Sequence, residues 1–131
     1  MTGLDTNVVV RYIMQDDAKQ SAKATALIES LTTEAPGFVS LVSVVELGWV
    51  LSSSYGLARE QVAQTIDLLL RTKQVVVDRA DQVLSALRVF KAGSADFADC
   101  LIERAAASAG CDRTMTFDVA AAKTAGMTLI R

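Results

Sequence analysis

The sequence predicts an α/β domain with a parallel sheet covered on both faces by helices, and three observations carry that prediction. Short apolar or β-branched runs at Phe38-Val39-Ser40, Val75-Val76-Val77, Thr114 to Phe117 and Met127 to Ile130 alternate with longer segments of helical spacing. Alternation of this kind gives parallel strands joined by helical crossovers. The length of 131 residues suits one domain that buries its core without disulfides or metals. With glycine counted and tyrosine left out, roughly 55% of the chain is apolar, above the ~45–50% usual for soluble domains, so some apolar surface is expected to meet a partner subunit.

The chain opens on Leu4-Asp5-Thr6-Asn7, a short strand ending in a carboxylate and followed by a helix over Val8 to Met14. A carboxylate in that position lies at the carboxyl edge of a sheet, where open α/β folds bind ligands. Thr6 and Asn7 are natural helix N-caps, and Asp5 itself reads equally well as a turn or cap residue. Gln15-Asp16-Asp17 breaks the first helix before a second, from about Ala18 to Leu31, with Ala24, Leu27, Ile28 and Leu31 on one face. The strand over Phe38 to Ser40 leads into a helix from Leu41 to Ser54, apolar on nearly every side except at Glu46. Such a helix is buried or sits in an interface. Ser43 and Glu46 have the spacing of a capping box; Ser40 is the alternative cap, which frees Glu46 for other work.

Gly56 stops that helix, and Arg59 to Leu70 forms the next, with Val62, Ile66, Leu69 and Leu70 on one face. Val75 to Val77 is a strand, Asp81 to Lys91 a helix, and Gly93 its stop. The segment Ser94 to Gly110 is helical and carries Asp96 and Asp99 three residues apart, hence on one face. Asp96 reads as an N-cap as readily as a ligand. Asp99 lies among Phe97, Cys100, Leu101 and Ile102, where a carboxylate needs a partner or a cation. The last unit repeats the first: strand Thr114 to Phe117, Asp118 at its end, helix Val119 to Ala125, strand Met127 to Ile130. Right-handed crossovers would bring the ends of the first and penultimate strands to one edge, so that Asp5 and Asp118 could meet.

Composition narrows the chemistry. The chain has no histidine, which removes the Ser-His-Asp and Cys-His hydrolases, imidazole zinc sites and nucleases with a His acid or base. Cys100 and Cys111 lack metal-site spacing and read as buried thiols. Net charge is −2, yet setting aside Asp5, Glu46, Asp96, Asp99 and Asp118 leaves 13 basic residues against 10 acids, a remainder of +3. Carboxylates gathered in one cleft repel unless a cation sits among them. An all-oxygen set suits Mg²⁺ or Mn²⁺, which can activate water for attack at a phosphodiester, two such ions lying ~3.5–4 Å apart. No apolar run reaches the ~18 residues of a spanning helix and no signal-peptide pattern is read at the N-terminus, so a soluble cytoplasmic protein is expected.

Taken in order, Leu4-Asp5-Thr6-Asn7, Val45-Glu46-Leu47, Asp96-Phe97-Ala98-Asp99-Cys100-Leu101-Ile102 and Thr116-Phe117-Asp118 resemble the PIN-domain ribonucleases, and the small size is similar to the VapC-type toxins of bacterial toxin–antitoxin pairs. The resemblance covers the chain as a single PIN domain, 1–131. It implies a three-layer α/β/α domain with a central, mostly parallel sheet of four to five strands. It also implies Mg²⁺-dependent endoribonuclease activity (Mn²⁺ as substitute) and a homodimer inhibited by a cognate antitoxin. Asp5, Glu46, Asp99 and Asp118 match the family's acidic quartet, with Asp5, Asp96, Asp99 and Asp118 as metal ligands. Thr6, Asn7 and Thr116 match supporting positions. Receiver domains need an acidic pair after the first strand, and haloacid-dehalogenase-type phosphatases need Asp where Asn7 stands. The remaining alternative is a catalytically silent PIN fold that binds a partner. Arg11, Lys91 and Arg113 are candidates for phosphate contact by chain position.

Overall fold

A computed structural model describes residues 1–131. The chain packs as two compact units, Met1–Asp78 and Arg79–Arg131. Both are α/β with parallel strands only. The expected sheet of four to five strands is instead a three-stranded sheet in the first unit and a two-stranded one in the second. Every strand is only two or three residues long, so few ladder bonds form and helix packing carries the cohesion of each unit.

In the first unit the strands are β1 (Thr2–Gly3), β2 (Gly37–Val39) and β3 (Val75–Val77), in that order, with Gly3 opposite Phe38 and Phe38 opposite Val76. Gly37 permits close packing beside the sheet: a Cβ there would stand 2.7 Å from Leu4 Cδ1 and 2.8 Å from Leu31 Cδ1. Its helices are α1 (Thr6–Met14), α2 (Ala18–Ser30), α3 (Leu41–Ser53) and α4 (Arg59–Leu70). The cap of α1 is Asp5, not Thr6 or Asn7, because Thr6 turns inward to become a buried residue. Gln15 ends α1 in the left-handed region, at φ 52°. The alternative cap at Ser40 is the one that forms: its hydroxyl accepts from Ser43 N at 3.2 Å, so the Ser43–Glu46 capping box does not form.

The core of this unit joins Val9, Val10, Ile28, Val39, Val44, Leu47, Leu51, Val62 and Ile66, all at most 5% exposed. The helical spacing of Ala24 and Ile28 is realised, while Leu27 points outward at 38% exposure. The apolar circumference of α3 divides in two. Leu47 and Leu51 are buried, whereas Val42 and Trp49 are 71% and 66% exposed.

The second unit contains α5 (Ala80–Ala92), α6 (Phe97–Ser108), α7 (Val119–Thr124) and the parallel pair β4 (Met115–Thr116) and β5 (Thr128–Leu129). Helices α5 and α6 pack through Val83, Ala86, Leu87, Phe90, Phe97, Cys100 and Leu101, with Phe90 and Phe97 edge to face at 5.6 Å. Gly93 terminates α5 in extended geometry, at φ −144°, rather than in the left-handed conformation that favours glycine at such stops. Gly110 does adopt that conformation, at φ +95°. Cys111 N donates to Ala106 O and Gly110 N to Ala107 O, the paired bonds that close a helix over a left-handed glycine. The thiols part company: Cys100 is buried as expected, but Cys111 follows this turn and is exposed.

No helix is long and apolar enough to cross a membrane.

Candidate active site

In the first unit four of the candidate positions adjoin one cleft. Asp5 caps α1 in an extended conformation, its Oδ1 accepting from Thr6 N at 2.7 Å, and its side chain stays at the surface. A carboxylate at a helix start sits at the positive end of the helix dipole, where anionic charge is favoured. Thr6 is only 8% exposed and donates its hydroxyl to Glu46 Oε1 at 2.7 Å. Glu46 lies in the second turn of α3, fixed in rotation by the Ser40 cap and by buried Val44 and Leu47 on the opposite side. Thr6 therefore orients one carboxylate oxygen of Glu46 and leaves the other available. Asp5, Thr6, Asn7 and Glu46 line an open cleft of about 520 Å³.

The far wall of that cleft is a network that the sequence does not announce. Arg11 Nη1 donates to Asp16 Oδ1 at 3.2 Å and to Tyr55 Oη at 3.0 Å, its Nε donates to Gln20 Oε1 at 2.8 Å, and Tyr55 Oη donates to Asp16 Oδ2 at 2.7 Å. The Tyr55 hydroxyl, ahead of the opposing burial and the Arg11 charge, holds the Asp16 carboxyl below its ordinary 3.8. Asp16 in turn raises Tyr55. For Arg11, partial burial pulls the guanidinium down, and Asp16 with Tyr55 outweighs it, so the group is raised. Arg11 was expected near phosphate from its position. Its partners lie 5, 9 and 44 residues away, and no local spacing reveals the last.

A depressed carboxyl stabilises the fold where it is ionised, above its unfolded value. That contribution disappears as pH falls through the folded value. The variant Asp16→Asn is accordingly expected to be less stable than the parent in urea at neutral pH, with the gap closing as the pH is lowered below 3.8. A gap that persists in strong acid would show that shape, and not charge, sets it.

The second unit holds the other acids. Asp96 is the N-cap of α6, its Oδ1 accepting from Ala98 N at 2.7 Å and Asp99 N at 3.4 Å. Asp118 is the N-cap of α7 through Ala120 N at 2.8 Å and Ala121 N at 3.3 Å, and Thr116 Oγ1 accepts from Asp118 N at 3.0 Å. Thr116 thus sets the angle at which Asp118 leaves β4. Both caps use Oδ1, and each Oδ2 is left over. Asp99, half-buried in the first turn of α6, has its carboxyl raised first by burial and then by the charges of Asp96 and Asp118. The cap reading of Asp96 is correct, and the same residue also presses its charge on Asp99.

None of the ion pairs Arg11–Asp16, Arg71–Asp67 and Arg104–Glu103 includes Asp5, Glu46, Asp96, Asp99 or Asp118. Carboxylates that belong to none of these ion pairs suit a hard cation in donor type, since every available atom is oxygen. Within neither unit does a trio of acids or thiols by itself enclose an ion. Mg²⁺ tolerates this, because it keeps several waters and is commonly held by one or two carboxylates together with substrate phosphates.

A parallel α/β chain in which three of seven helices begin on exposed carboxylates is the setting in which the family match falls. The PIN domain matches residues 4–127, nearly the whole chain and both units, and the chain belongs to the PIN domain family, a nuclease fold. Comparison with curated proteins gives no match.

Proposed function

We propose that the protein is a metal-dependent endoribonuclease that hydrolyses RNA phosphodiester bonds, and that it acts as the toxin of a VapC-type toxin–antitoxin pair. The observation that carries the reading is the set of acids outside any of these ion pairs, at the helix starts Asp5, Asp96 and Asp118, in the first turn of α6 at Asp99 and in the second turn of α3 at Glu46, in a chain that belongs to a nuclease fold. Asp5, Asp96, Asp99 and Asp118 would hold Mg²⁺ or Mn²⁺, and the ion would supply an activated water and charge stabilisation at phosphorus. Glu46, oriented by Thr6, would accept a proton, and Asn7 and Thr116 support the set.

Incubating the purified chain with total cellular RNA is expected to give new 5′ ends in Mg²⁺ and none in EDTA. Sequencing those ends tests the assignment. Uncut RNA in Mg²⁺ would leave the chain as a partner-binding PIN fold.

The exposed face of α3, with Val42 and Trp49, supports a homodimer, since large exposed aromatic side chains are typical interface anchors. The antitoxin would bind as a segment that blocks the acids. Cleavage that continues with the cognate antitoxin bound would overturn that role.

A further inference from the structure

Beside the carboxylate cleft runs a second trough, between α1 and α2, that no catalytic role accounts for. It has a volume of about 250 Å³ and is lined by Asn7, Val8, Arg11, Gln20, Lys23 and Leu27 among others. Asn7 and Arg11 line both depressions, so the two adjoin across these residues. Their charge differs. Asp5, Asp16 and Glu46 line the first, while no carboxylate lines the second.

Resting on the nuclease reading above, we propose that this trough is the exit track of the substrate strand, where Arg11 and Lys23 contact successive phosphates of single-stranded RNA as it leaves the carboxylate cleft. The geometry of Arg11 suits that role. Asp16, Tyr55 and Gln20 occupy Nη1 and Nε and fix the guanidinium, while no hydrogen bond is made by Nη2, which keeps two donors. A fixed guanidinium loses little side-chain freedom when it meets phosphate. Lys23 is exposed and belongs to none of the three ion pairs, so its charge is uncompensated locally. Asn7 and Gln20 add amides of the kind that bond sugar and phosphate oxygens. Half-exposed Val8 and Leu27 give an apolar surface against which a base can rest. A polyanion is the occupant that this combination fits: the free charge of Lys23, the unused Nη2 of an Arg11 that Asp16 holds in place, two amides and no acid in the lining, next to the acids that would cut it.

Salt dependence of binding tests the track. Affinity of the full chain for a fluorescein-labelled single-stranded RNA would be measured by anisotropy across a salt series, with Ca²⁺ replacing Mg²⁺ to suppress cleavage. Each lost phosphate contact on a single strand lowers the slope of log affinity against log salt by about 0.7. Lys23→Gln is expected to lower it by that amount, Arg11→Met by the same, and the pair by about 1.4. Affinity falls roughly tenfold per contact, as for a charged hydrogen bond. Lys73→Gln, an exposed lysine outside the trough, should leave the slope unchanged. In cleavage assays Lys23→Gln should raise KM with kcat unchanged.

Lys23→Gln is the decisive variant, because Arg11 also ties α1 to Asp16 and Tyr55 and its loss could loosen the fold. An unaltered slope in Lys23→Gln overturns the track while leaving the nuclease reading intact. Failure of the parent chain to bind or cut any RNA overturns the nuclease reading, and the track falls with it.

Discussion

Asp99→Asn is expected to abolish metal-dependent RNA cleavage, as removal of a ligand to the ion that activates water would. Asp99 sits half-buried in the first turn of α6, and its carboxyl is raised by burial, then by Asp96 and Asp118. A carboxyl raised in the folded state weighs against folding once it is ionised, so stability declines as pH rises through the raised value. The amide removes that burden, and the melting temperature without metal should hold or increase while activity is lost. Asp5→Asn, from the other unit, is expected to abolish cleavage as well, without the gain in stability. Loss in both variants ties the two acid groups to one reaction. Full activity in either would remove that residue from the catalytic set.

The second large effect is on stability. Leu51 is 0% exposed on the inner side of α3, and Leu51→Ala should cost ~2–5 kcal/mol, as buried leucine truncations do when the cavity cannot collapse. Trp49, two residues earlier and 66% exposed, should behave oppositely: Trp49→Ser is expected to change the stability of the isolated chain by less than ~0.5 kcal/mol. Its effect belongs to assembly. Light scattering of the parent at tens of micromolar should give twice the 14.0 kDa chain mass, and Trp49→Ser should return it toward one. Urea denaturation below the dimer's dissociation concentration measures the two stability changes. A monomeric parent would overturn the dimer, and a mild Leu51→Ala would overturn the assignment of the buried face.

The helices were legible in the sequence to within a few residues, because apolar spacing and cap chemistry act locally. Arg59–Leu70 and Val75–Val77 have the expected limits, and α2 and α3 each end one residue earlier. Sheet extent was not legible. Strand length depends on which backbone groups find partners across the sheet, and the runs Thr114 to Phe117 and Met127 to Ile130 pair over only two residues each. Caps divided along the same line. Asp96 and Asp118 cap as short polar residues at helix starts do, whereas Asp5 displaced Thr6 because Thr6 was drawn inward to Glu46, 40 residues away. Composition showed that α3 was too apolar for water on every side, but only packing could tell which side is Leu51 and which is Trp49. The tyrosine that clasps Arg11 left no trace in local pattern, since a single hydroxyl far along the chain has no periodicity to give it away.

The placement of the two thiols makes the helix of the acids observable without a label. Cys100 follows Asp99 directly and is fully enclosed, Cys111 lies open beyond the Gly110 turn, and neither is in a disulfide. A thiol reagent should therefore consume Cys111 at once and reach Cys100 only during excursions that open α6. The slow second step measures the free energy of that local opening in native conditions. An ion bound by the neighbouring carboxylates would slow it in proportion to occupancy. One native reactive group thus works as a clock for the motion of α6, and as a gauge of metal affinity that needs no RNA.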